Sequence, residues 1–137
     1  MLHLTAEDAD DLQIISAQMQ DALLKREDLR FDAKRRRFAL VANRFAWDAL
    51  PDKQRRRAGL HFDDVDAVQA IGLARLPAGA VLSLLAITFE SKGELAGTIM
   101  LAFSMGLRLR LKVSCINATL DDLGGTWEAS LAPAHEV

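Results

Sequence analysis

Cysteine is nearly absent from this chain. Cys115 is the one thiol among 137 residues, so no internal disulfide can form, and the sequence predicts a reducing, cytoplasmic setting. Histidine is also sparse. His3, His61 and His135 are scattered, two of them near the ends, and make no pair at metal-ligand spacing. Aromatic residues are only 6% of the chain, which leaves little for stacking nucleic-acid bases. No hydrophobic run is long enough to cross a bilayer as a helix. The strongest, Gly79 to Phe89, is short and holds Ser83 and Thr88. Residues 1–8 lack the basic segment and apolar run of a signal peptide. There is no phosphate-cradling glycine loop, and Asp63, Asp64 and Asp66 lack the later ligands and the glycine of a calcium loop. No cofactor, no metal and no set of catalytic residues is therefore expected.

Hydrophobic residues make up 50% of the sequence and charged residues 26%, as in a domain with a substantial core. The length predicts one globular domain over 1–129, followed by a flexible tail, 130–137. Net charge is −2, but the charge is unevenly placed. Ten basic and three acidic residues fall between Arg30 and Arg57, a local balance of +7, so the rest of the chain carries −9.

The clearest pattern is Leu107-Arg108-Leu109-Arg110-Leu111-Lys112-Val113. Apolar and basic residues alternate, which is the period of a strand with one dry and one wet face. After Ser114, apolar residues fall at Ile116, Leu120 and Leu123, the spacing of one helix face. Ser114 reads as its N-cap and Gly124 as its stop. At the other end, Thr5 to Gln20 reads as a helix capped by Thr5, with acids crowding its first turns and Ala9, Leu12, Ile15 and Met19 facing inward. Residues 21–25 are either the last turn of that helix or a first strand, and the polar break after them favours a strand.

Strands are then expected at 29–31, 37–47, 58–73 with a bulge at Asp63-Asp64, 81–89, 97–104 and 107–113, with residues 49–56 as a surface loop. The expected class is α+β: an N-terminal helix, about seven mostly antiparallel strands in a curved sheet or half-open barrel, and a C-terminal helix packed on it. Seven strands followed by a helix is also the order of pleckstrin-homology-like barrels, an analogy of fold alone.

Three runs carry a resemblance: Leu12 to Ala22, Arg37 to Phe45 and Ala80 to Ile87. They resemble a family of small bacterial proteins known only as a domain of unknown function, and the likeness covers nearly the whole chain. It implies a complete small bacterial protein and supplies no catalytic residue, ligand or partner.

The strongest functional candidates are two basic runs. Lys34, Arg35, Arg36 and Arg37 form one; Lys53, Arg55, Arg56 and Arg57 form the other. Brought together, they would hold an anion such as the phosphates of a nucleic acid or lipid, or an acidic protein. Arg108, Arg110 and Lys112 share the wet face of their strand and would extend such a patch. Cys115 is placed at the first turn of the last helix, where the dipole would activate a thiol, though its apolar neighbours suit a buried residue better. The reading that results is a non-enzymatic module that recognises a protein partner or assembles with itself. Binding of nucleic acid or another polyanion through the basic runs is the alternative.

Overall fold

The structure is a computed structural model that describes residues 1–45 and 55–124. Within these the elements are β1 (His3–Ala6), α1 (Ala9–Met19), β2 (Ala22–Lys25), β3 (Leu29–Asp32), β4 (Arg37–Phe45), β5 (Arg55–Phe62), β6 (Val65–Ile71), β7 (Val81–Ser91), β8 (Gly97–Phe103), β9 (Arg108–Val113) and β10 (Ala118–Asp122). The protein is therefore mostly antiparallel sheet with one α-helix near its N-terminus. The ten strands form one sheet in the order β1-β10-β5-β4-β2-β7-β8-β9-β6, with β3 also paired to β4.

Two corners shape this sheet. β5 runs into β6 across Asp63-Asp64, where Asp64 adopts the left-handed region at φ 60°. β9 runs into β10 across residues 114–117. The corners are bonded to each other: Asp63 N–H donates to the Asn117 carbonyl at 2.8 Å, and Ser114 N–H donates to the Asp64 carbonyl at 3.1 Å. Consequently β10 lies on β5 and β9 lies on β6, as two halves of one bent antiparallel pair. Strands that bend and change partners in this way turn a sheet around its own core.

The inner face is apolar by alternation. Phe38, Leu40 and Ala42 on β4, Ala58, Leu60 and Phe62 on β5, and Leu109, Leu111 and Val113 on β9 are all buried in one cluster. The Phe38 and Phe62 rings meet across the β4–β5 pair with centroids 6.4 Å apart. Helix α1 packs chiefly on β7 and β1 through Leu12, Ile15 and Met19, each buried. Burial of one such side chain stabilises by about 1.5–3 kcal/mol. Ala9 and Ile14 face water.

Several expectations are corrected. The segment after Ser114 is strand β10, not a C-terminal helix, and no helix follows it among the described residues. With that helix gone and ten strands in place of about seven, the α+β class and the pleckstrin-homology-like order both fall. Ile116, Ala118 and Leu120 point inward at a strand's period of two. The next inward position is Asp122, a buried acid, so the hydrophobic alternation stops early and mimics a helical spacing.

At the N-terminus, residues 3–6 form β1, and the cap of α1 is Asp8, whose Oδ1 accepts from Asp11 N–H at 2.8 Å. Residues 58–73 are not one strand with a bulge but parts of β5 and β6 about a corner. Arg55 and Arg56 belong to β5 rather than to a loop. The expected end of the third strand at Trp47, the loop to Gln54 and the tail 130–137 lie outside the described residues.

Candidate functional site

The two basic runs do not meet. Lys34, Arg35 and Arg36 form the β3–β4 turn and Arg37 opens β4, beside the end of β5 at Phe62. Arg55, Arg56 and Arg57 pair with Phe45, Arg44 and Asn43 at the far end of β4. The length of β4 separates them, about 27 Å at a strand's rise per residue. Lys53 lies outside the described residues.

Most of these arginines are also engaged within the fold. Arg36 donates through Nε and Nη2 to Asp66 Oδ1, at 3.0 and 2.8 Å, and through Nη2 to Ser114 Oγ at 3.0 Å. Arg37 Nε donates to Asp63 Oδ1 at 2.7 Å. Arg35 stands 3.8 Å from Asp32. Arg55 donates to the carbonyls of Asp21 and Asn43, and Arg57 to Asn43 Oδ1. Arg36 and Arg37 thus fasten the corner at residues 63–66. They are structural cations, and a ligand would have to compete with their partners.

Cys115 sits at that same corner. Its thiol donates to Asp64 Oδ2 at 3.3 Å, and Asn117 Nδ2 donates to the same oxygen at 3.3 Å. Burial pushes the thiol's pKa up from its ordinary value, and the Asp64 carboxylate adds to the rise. The Cys115 and Asn117 hydrogen bonds, helped by Arg36, hold Asp64 below the usual carboxylate range. A thiol kept protonated is a poor nucleophile, and here it serves as a hydrogen-bond donor to an ionised Asp64. Among the described residues no group of three or more His, Cys, Asp or Glu side chains is placed to hold a metal ion.

Arg108, Arg110 and Lys112 have a different setting. Alternation on β9 sends Leu109, Leu111 and Val113 inward, so the three cations stand in a column on the outer face. Strand pairing gives each an uncharged neighbour on either side. Ala67 and Thr98 flank Lys112, Gln69 and Met100 flank Arg110, and Ile71 and Ala102 flank Arg108. None of the three makes a hydrogen bond or ion pair with a described residue. The nearest acid to influence is Glu90 on β7. Its carboxyl is lowered mainly by the Lys92 hydrogen bond and charge, and least by Arg110.

A cleft of about 540 Å³ opens over this face. It is lined by Ala67, Val68 and Gln69 of β6, by Lys92, Ala96 and Gly97 about the β7–β8 turn, and by Thr98, Arg110, Lys112 and Val113. Every charged group lining it is a cation. Gly97 allows a close approach beneath the cleft: a Cβ there would stand 2.5 Å from the Phe89 ring and 2.4 Å from the Glu90 carbonyl. Beside the cleft, β6 pairs only with β9, so its other edge has no strand partner among the described residues. That edge is guarded at its start by Asp66 and a register shift between Val65 and Ala67, while from Ala67 to Ile71 it carries no charge and no proline.

The alternation over 107–113 made the cation column visible in the sequence. The cleft was not, because the rest of its lining comes from β6 and the β7–β8 turn. The buried pair of Arg44 and Asp122 was missed entirely. Arg44 donates from Nε to Asp122 Oδ1 and from Nη2 to Oδ2, both at 2.7 Å, with the two side chains 0% and 1% exposed. Asp122 also accepts from the Leu2 N–H at 2.8 Å, tying the N-terminus to β10. The only trace of the pair in the sequence is a charged residue at the inward parity of each strand.

No described helix is long and apolar enough to cross a membrane. No curated protein and no solved structure matches the chain. A family model described as a protein of unknown function (DUF2948) matches residues 2–135, and the chain belongs to that family.

Proposed function

We propose that this protein is a non-enzymatic binding module that engages a protein partner on the outer face of β6, β9 and β8. One observation carries the reading: three cations without a partner among the described residues stand in a column beside a cleft and a strand edge that is uncharged from Ala67 to Ile71. Elsewhere Arg36, Arg37 and Arg44 are matched to acids. Cations left without partners on a concave surface favour a complementary surface from outside. The neutral Cys115 thiol argues against a nucleophilic enzyme, and it suits the cytoplasm, where a lone thiol stays reduced.

The test places a photo-crosslinking side chain at Gln69 in the living cell. A discrete adduct that Arg110→Glu abolishes, and that the same probe at Asp10 does not give, supports the module. Equal labelling from Gln69 and Asp10, or labelling indifferent to Arg110→Glu, removes it.

The polyanion reading through Lys34–Arg37 and Lys53–Arg57 has less support. The described parts of the runs stand at opposite ends of β4, and Arg36 and Arg37 already hold carboxylates. A duplex-DNA titration against salt decides it. A log–log slope near −5, from about six phosphate contacts, would restore the reading, and absence of binding at low salt would end it.

A further inference from the structure

The occupant of this face can be specified further, resting on the module reading above. We infer that the partner contributes an extended acidic segment that adds as a strand to the edge of β6 that has no strand partner among the described residues, with carboxylates at alternate positions over the column of Arg108, Arg110 and Lys112.

Register supports this. A strand paired to β6 would place alternate side chains in the rows of Ala67, Gln69 and Ile71, which are the rows of Lys112, Arg110 and Arg108. Along any strand, alternate residues repeat at about 6.7 Å, so acids on the added strand keep step with cations on β9. Across the sheet, the added strand stands about 9.6 Å from β9, two strand spacings. A lysine or arginine side chain bridges that gap if the strand between is low. It is lowest at Ala67, where the cleft opens. Like charges would repel at that repeat and neutral residues would gain nothing, so the column selects for acids.

A peptide fits better than a nucleic acid. Backbone N–H and C=O groups along β6 offer hydrogen bonds to another strand. Nucleotides cannot use a ladder of that kind, and no aromatic ring lines the cleft to stack a base. The intervening side chains of the peptide would fall in the uncharged rows of Val68 and Ala70, on the other face of the sheet.

The experiment uses the full chain and a fluorescent peptide alternating Glu and Val. Binding by anisotropy at low salt is expected, with amide shifts of Ala67 to Ile71 and of β9 marking the site. Arg110→Glu, an outer-face change that leaves the core untouched, should weaken binding about tenfold or more. A Gln-Val peptide should fail. An N-methylated Glu-Val peptide, which cannot form the ladder, should also fail.

The inference is overturned if the acidic peptide does not bind, if Arg110→Glu binds it equally well, if the N-methylated form binds like its parent, or if single-stranded DNA of equal charge binds more tightly than the peptide. Failure of the peptide with crosslinking from Gln69 retained overturns the acidic strand alone. Loss of both removes the module reading as well.

Discussion

Two charged clusters at single-residue scale hold the bends and ends of the sheet. Arg44 and Asp122 are fully desolvated and joined by two short hydrogen bonds from strands on either side of β5. Asp122→Ala removes the carboxylate that accepts both of these short hydrogen bonds from a buried guanidinium, so it should lower stability by about 3–5 kcal/mol in urea unfolding. A loss within the range of a surface substitution would show that the pair is not closed in solution.

The Asp64–Cys115 contact predicts a pH signature. The folded thiol holds its proton above the ordinary value of 9.0, so its contribution is complete below pH 9.0 and is lost as the pH rises through the folded value. Asp64 behaves in the opposite sense. Its contribution is present above the ordinary 3.8 and is lost as the pH falls through the lowered folded value. Wild-type stability should therefore fall off more steeply on the alkaline side than that of Cys115→Ala, as followed by urea midpoints against pH. Iodoacetamide should also label Cys115 more slowly in the folded protein than in the unfolded chain.

At the scale of elements, α1 was legible because its apolar stripe at Leu12, Ile15 and Met19 keeps a helical period, and burial of those residues followed. Its start was misplaced by three residues. Thr5 had the right chemistry for a cap, but β10 pairs residues 3–6 as a strand and leaves Asp8 to do the capping. Asp8→Ala should cost about 1 kcal/mol by thermal or urea unfolding.

Strand β8 carries a second element-scale prediction. Gly97 lies against the Phe89 ring and the Glu90 carbonyl, with no room for a methyl group. Gly97→Ala should destabilise by about 1–3 kcal/mol through overpacking, read as a lower Tm. It should also disturb the amides of Lys112 and Val113, which face Thr98 and Gly97. β9 needed no neighbour to be recognised, whereas β10 hid behind its buried acid.

At the scale of the molecule, pairing is predominantly non-local. β10 reaches β1 across more than a hundred residues, and β5–β6 meets β9–β10 across roughly fifty. Chains that must close such long loops before gaining contacts fold slowly. Stopped-flow refolding should therefore fall between milliseconds and seconds, and relaxation in microseconds would contradict the topology.

The same non-locality explains what could not be read about the candidate site. Two basic runs close in sequence would form one patch only if folding brought them together, and β4 holds their described parts apart because one lies at each of its ends. Conversely, the cation column gained its cleft from Ala67 to Gln69 and from Lys92, Ala96 and Gly97, two separate segments that both precede it in sequence.

The sequence by itself determined where alternation or helical period was unbroken: α1, β4, β7, β8 and β9, together with the sign and spacing of the charges on β9. These follow from side-chain direction, which each residue sets locally. Only the tertiary structure decided that β5 and β6 turn a corner, that residues 118–122 are a strand, and which cations are held by acids such as Asp63, Asp66 and Asp122. The physical reason is that an inward acid such as Asp122, or a bend at Asp64, is tolerable only when a distant partner satisfies it. That partner is specified by pairing across the whole chain.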